Sequence, residues 1–165
     1  MSSDKSIFVT SLTGTYDPAT LLATDFDSLG DIRTTNGKVY KFVSYDQAAG
    51  EVAAVAGNMA YYKAGFQVTT SRAEMIYDVT SDLSESANIG AGMLMAAIPN
   101  DDYGWIQVKG PATLATALTA GSNGNALTPV GATDGTLDVS GLVTDAICAY
   151  AIVAASKYVF LDCPY

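Results

Sequence analysis

Asp101 and Asp102 are the residues whose types and spacing come nearest to chemistry. Two neighbouring carboxylates beside Tyr103 and Trp105 are the raw material of a glycoside hydrolase, in which one acid protonates the leaving group and the aromatic rings seat the sugar. The plainer reading of Asn100-Asp-Asp-Tyr-Gly104 is a solvated turn that leads into a strand, because adjacent acids are ordinary in such turns. The chain contains no histidine. That removes every histidine-based triad, most proton shuttles near neutral pH and the commonest zinc ligand. Asp25-Phe-Asp27 lacks the glycine and the distal glutamate of a calcium loop. Gly90-Ala-Gly92 lacks the third glycine of a dinucleotide fingerprint, with Met95 in its place, and no phosphate-cradling loop occurs. Two cysteines without histidine make no zinc site. Cys148 and Cys163 read instead as buried free thiols, which a hairpin of residues 145–154 and 157–163 would bring near each other. No catalytic residue, cofactor or metal ligand follows from these patterns.

The elements that must position these residues are strands. Tyr103-Gly-Trp-Ile-Gln-Val-Lys-Gly110 holds the only tryptophan and alternates at period two. Trp105, Gln107 and Lys109 fall on one face, Ile106 and Val108 on the other, and Gly110-Pro111 closes the run. This is the pattern of a half-buried central strand. Thr35-Asn-Gly37 is a turn signal, and residues 38–44 alternate behind it, with Val39, Lys41 and Val43 opposite Tyr40 and Phe42. In residues 46–63 the alanines favour a helix, yet Gly50 and Gly57-Asn58 break it twice, so a hairpin of 51–56 and 59–63 is expected. Residues 66–70 and the alternation Met75, Tyr77, Val79 give further strands. Residues 81–86 read as a loop. Residues 89–98 form a continuous small and apolar run, as in a strand covered on both faces. Short strands follow at 112–118, 126–130, 147–154 and 158–161, separated by Gly, Asn and Asp turns.

Turn signals every 8–12 residues or so indicate an all-β fold, a compact sandwich or barrel of short antiparallel strands. Residues 37–165 would form this β-rich domain. Residues 1–36 read as an N-terminal arm or irregular lead-in. A short helix is expected at 18–24, with Asp17 as its cap and Pro18 in its first turn. The anchors of this segment, among them Phe8, Tyr16 and Leu21, need a surface to pack on, in this domain or in a neighbour.

Composition narrows the partners. The 165 residues carry 17 acidic and 8 basic side chains, a net charge of -9, with 49% hydrophobic and only 15% charged residues. No cluster of cations exists to neutralise phosphates, so no nucleic acid is expected as a partner. No window approaches the ~20 apolar residues of a membrane span, and no secretory leader is legible, which points to synthesis in a cytoplasm and to no membrane association.

The order of these features resembles the decoration (cement) proteins of tailed-bacteriophage capsids. The similarity runs over about residues 50–165. It rests on Glu51-Val-Ala-Ala-Val-Ala-Gly-Asn58, Phe66-Gln-Val-Thr69, the Gly-Ala-Gly strand, Tyr103-Gly-Trp-Ile-Gln-Val-Lys-Gly110, the loop-rich 121–135 region and the late alanine-rich strand. That late strand departs from the pattern, with Ala146-Ile-Cys-Ala149 where a glycine is usual. The resemblance implies a non-enzymatic virion protein on the capsid exterior, bridging major capsid protein subunits, commonly as a homotrimer. Such work needs area rather than reacting groups, about 1,200–2,000 Å² per interface repeated by symmetry. Interface cores favour aromatic residues, so Phe8, Tyr16, Tyr61, Tyr62, Phe66 and Trp105 are interface candidates, each also a natural core residue. Two other readings stay open. One is another virion component or a carbohydrate-binding adhesion module that uses Trp105 and exposed tyrosines as stacking platforms. The other is a hydrolase built on Asp101 and Asp102.

Overall fold

A computed structural model describes residues 10–21, 27–47, 52–64 and 77–165. Phe8, Phe66, the expected strand at 66–70, residues 72–76 and the end of the expected helix at 22–24 lie outside the described residues.

The fold is all-β. Its strands are β1 (Thr15–Tyr16), β2 (Ile32–Thr35), β3 (Lys38–Tyr45), β4 (Met59–Lys63), β5 (Asp78–Thr80), β6 (Ser86–Leu94), β7 (Tyr103–Thr113), β8 (Ala126–Thr128), β9 (Asp138–Val139), β10 (Ala149–Val153) and β11 (Tyr158–Asp162). One short helix, α1 (Pro18–Leu21), and a 3-10 turn at Ala154–Ser156 complete the described elements. The Asp17 carboxylate accepts a bond from the Ala19 N–H at 2.8 Å, the capping expected of it.

β7 organises the sheet. One of its edges pairs with β3, Phe42 opposite Trp105 and Lys41 opposite Ile106. Its other edge meets β1 at Tyr103–Gly104, β6 at Ile106–Gln107 and β11 at residues 109–113. From β3 the pairing passes to β5, then β4, β6 and back to β7. Five strands thus close a ring, which removes their free edges. The sheet continues outward from β7 through β11, β10, β8 and β9. The β3–β5 pair is parallel, so the sheet is mixed rather than wholly antiparallel.

Period-two alternation separates two cores. Val43 and Tyr45 of β3, with Ile106 and Val108 of β7, join the main core that runs on through Leu127, Leu137, Val159 and Leu161. Tyr40 and Phe42, with Trp105, form a second core on the opposite face. That face is covered by Leu12, Tyr16, Leu21 and Leu29 from the lead-in segment. β7 is therefore covered on both faces where half-burial was expected, and Trp105, Ile106 and Val108 are all fully enclosed. The described part of residues 1–36 packs on its own domain, and β2 extends the sheet beside β3.

Four local expectations change. The separate strand expected at 112–118 is absent, since residues 112–113 end β7 and residues 114–118 form no strand. Gly110-Pro111 does not end β7, because Leu161 and Phe160 of β11 pair with these two residues. The Gln107 side-chain amide donates to the carbonyls of Gly110 and Pro111 at 3.2 and 3.0 Å, satisfying acceptors at this irregular point. Residues 52–58 form no strand, so there is no 51–56 and 59–63 hairpin. The Gly57 N–H donates to the Leu94 carbonyl and its own carbonyl accepts from Ala115, which commits that backbone to β6 and to the 115 loop. The 89–98 run begins earlier and stops sooner, at Leu94, and only residues 90–94 of it are buried throughout. Glycine at 92 is needed because a Cβ there would lie 2.6 Å from the Gln107 carbonyl oxygen of β7. The Gly-Ala-Gly run is a packing device between strands.

Candidate functional surface

The Asn100–Asp102 turn is fastened to the end of β3. The Asp101 N–H donates to the Tyr45 carbonyl at 2.8 Å, the Tyr45 N–H donates to the Asp102 carbonyl at 3.0 Å, and Asn100 Nδ2 donates to Asp101 Oδ2 at 2.7 Å. Asp101 takes a left-handed backbone, φ 62°. It lines a cleft of about 230 Å³ together with Leu29, Ser44, Asp46, Asp78 and Tyr103. Asp102 does not line that cleft. Burial, and then the negative charges of Asp17 and Asp101, hold its carboxyl above the usual range. The adjacent pair read from the sequence is thus not assembled into one cleft. The three cleft aspartates come from distant parts of the chain, and Asp46 is engaged by Lys63 at 2.8 Å. Among the described residues no group of three or more His, Cys, Asp or Glu is placed to hold a metal ion.

The aromatic candidates divide. Trp105 and Tyr61 are fully buried and pack inside this chain, so Trp105 presents no ring on which a sugar could stack. The Tyr61 hydroxyl accepts from the Thr136 N–H at 2.9 Å and donates to the Thr136 carbonyl. Burial above all raises its pKa far beyond the ordinary range. Tyr16 is half-buried, 6.1 Å from the Phe42 ring between centroids. Tyr62 is half-buried and engaged internally. Its hydroxyl accepts from Lys41 Nζ at 2.9 Å and donates to the Pro164 carbonyl at 3.0 Å. Lys41 is buried, with its ammonium 5.0 and 5.2 Å from the Tyr62 and Tyr77 ring centroids. Desolvation lowers the Lys41 pKa, while burial first, then Cys163 and Tyr77, pushes the Tyr62 hydroxyl up to about 12.

What the sequence patterns did not single out is the outer face of β10 and β11. Ala149, Ala151, Val159 and Leu161 point into the main core, which turns Tyr150, Ile152, Tyr158 and Phe160 outward. Tyr150 stands directly opposite Phe160, and Val153 opposite Tyr158. These side chains remain 36–46% exposed. The one charged residue on the two strands, Asp162, is paired with Lys109 at 2.8 Å. This strip sits on the charge-poor part of the chain. Residues 1–102 hold 13 of the 17 acidic and 6 of the 8 basic side chains, which leaves four acidic and two basic for residues 103–165. The available signal was the alternation of small and large apolar residues in Ala149-Tyr-Ala-Ile-Val153. Both faces of that strand are apolar, so the pattern alone does not tell which one meets solvent.

In comparisons with protein-family models, with curated proteins and with solved structures, the chain matches none.

Proposed function

We propose that this protein is a decoration protein of a tailed-bacteriophage capsid, a non-catalytic virion component. In this reading it docks on the outer shell, bridges major capsid protein subunits and acts as a homotrimer. The observation that supports the reading is the aromatic strip Tyr150, Ile152, Tyr158 and Phe160. Two tyrosines, a phenylalanine and an isoleucine side by side on one exposed sheet face are the residue types that partner sites favour. The strip's neutrality matters as much as its make-up. A chain of net charge -9 can meet a large surface without a desolvation penalty only where its own charges are few or paired. The strip meets that condition, and the acid-rich remainder is then free to face solvent, where it keeps decorated particles apart.

Four partly exposed side chains present less than the ~800 Å² per partner of a stable interface. Lattice symmetry supplies the rest, since many weak contacts on linked subunits act together. The test is co-sedimentation of purified protein with undecorated capsids. Stoichiometric binding is expected, reduced at least tenfold in a Tyr150→Ser, Phe160→Ser double variant that keeps its fold. Absence of binding by the parent chain would overturn the reading.

A second reading has one specific observation in its favour. Exposed Tyr150, Tyr158 and Phe160 on neighbouring strands offer flat rings to a sugar, a role that buried Trp105 does not fill. Glycan-array binding lost in the same double variant, with no affinity for capsids, would favour it.

A further inference from the structure

Cys148 and Cys163 are free thiols, 1% and 3% exposed, at the open end of the β10–β11 hairpin, just before β10 and just after β11. The Asp162 N–H donates to the Cys148 carbonyl at 2.9 Å, so the two segments are held as adjacent strands up to the cysteines. The Cys163 thiol donates to the same carbonyl at 3.4 Å, which sets its sulfur against the Cys148 residue. The register sets Cys148 opposite Asp162 and Cys163 one residue further on; with strands about 4.8 Å apart and a rise of about 3.3 Å per residue, that diagonal is about 6 Å, inside the 4.4–6.8 Å Cα separation that a disulfide spans. Gly90 of β6 makes room for this pair, since a Cβ there would lie 2.5 Å from the Cys148 sulfur.

From this geometry we infer that Cys148 and Cys163 are a latent disulfide, a redox site that staples β10 to β11 once the chain leaves a reducing compartment. The inference stands independently of the function proposed above. With glutathione disulfide as oxidant, one protein thiolate attacks it and releases one glutathione thiolate. The second protein thiolate then attacks the mixed disulfide, forms the intrachain bond and releases the second glutathione. Two protein thiols are oxidised, one glutathione disulfide is reduced, and the two protons pass to the departing glutathiones.

Burial governs when this happens. The neighbouring Cys148 side chain, then desolvation, raises the Cys163 thiol well above its ordinary value, so Cys163 stays protonated in the closed fold. The bond therefore forms while the chain folds or when the end of β11 opens, and afterwards the same burial shields it from reductants. The closed loop, with its ends 15 positions apart, is of a length for which cross-linking raises Tm by roughly 5–10 °C in a domain of this size.

The experiment is refolding of the full chain from denaturant in a glutathione redox buffer, followed by intact mass, non-reducing peptide mapping and thermal melting. Expected are a mass lower by two hydrogens, a Cys148–Cys163 linked peptide and a Tm about 5–10 °C above that of the reduced protein. A Cys163→Ala chain taken through the same steps should show no such rise. The folded reduced protein should react with a thiol reagent at least tenfold more slowly than the denatured chain. Refolded chains whose thiols stay free, chains that carry glutathione instead of the intrachain bond, or a linked chain that melts no higher than the reduced one would overturn the inference.

Discussion

The indole N–H of Trp105 donates to the hydroxyl of Thr10 at 2.8 Å, across 95 positions of chain. The Thr10 hydroxyl in turn donates a hydrogen bond to Asp27 Oδ2, which also accepts one from the Thr10 backbone N–H at 2.7 Å. Thr10 and Asp27 are both buried, so a polar chain of three residues pins the start of the described fold against the central strand. The second carboxylate oxygen of Asp27 is buried and has no hydrogen-bond partner among the described residues. Thr10→Val should therefore leave the indole N–H and the carboxylate short of a partner and cost about 1–3 kcal/mol, measured by urea unfolding.

Trp105 carries the second core with it. Its ring packs on Phe42 at 5.1 Å and reaches none of the solvent. Trp105→Ala should cost about 3–5 kcal/mol, as large-to-small changes of buried aromatics do. A binding module with Trp105 as its platform would show the opposite result, lost ligand affinity at unchanged stability.

Tyr62 makes stability fall at alkaline pH. Its folded pKa of about 12 stands above the ordinary 10.0, so its contribution is complete below pH 10 and is lost as the pH rises toward 12. Lys41 acts with the opposite sign. Its folded pKa is lowered from 10.5, so the folded state binds that proton less tightly than the unfolded chain does, and this contribution improves as the pH rises to that value. Tyr62→Phe should flatten the alkaline fall in urea-midpoint measurements between pH 9 and 12 or so, at the cost of about 1 kcal/mol at pH 7 from the lost hydrogen bonds. Lys41→Met, which removes a buried cation that has no carboxylate partner among the described residues, should leave stability at pH 7 unchanged or higher.

Gly92→Ala tests how closely β6 lies on β7. The atom in the way is the Gln107 carbonyl oxygen, backbone that cannot rotate aside, so a loss of about 1–3 kcal/mol or more is expected in chemical denaturation.

The exposed strip should behave in the opposite way. Tyr150 and Phe160 lose a cross-strand pair worth about 0.2–1 kcal/mol and the burial of part of each ring, less than an enclosed aromatic loses. Tyr150→Ser with Phe160→Ser should therefore lower the melting temperature less than Trp105→Ala does while reducing capsid binding at least tenfold, which separates a docking face from a core.

Composition and local pattern determined much of this protein before any folding. Alternation in residues 38–44 and 103–110 named the two strands that carry both cores, and Asn36-Gly37, with φ of 51° and 73°, makes the tight turn that its residue types demand. The absence of histidine is likewise complete in the sequence. Contacts between distant residues decided the rest, because period two records which side chains share a face and not what covers that face. Thr10, held by Asp27, became the partner of Trp105, Gly57 and Asn58 bonded to Leu94 of β6 rather than forming a hairpin, and Tyr150 and Phe160 were left partly exposed while Trp105 was enclosed. In each case the outcome depended on which segment, far along the chain, arrived to exclude water.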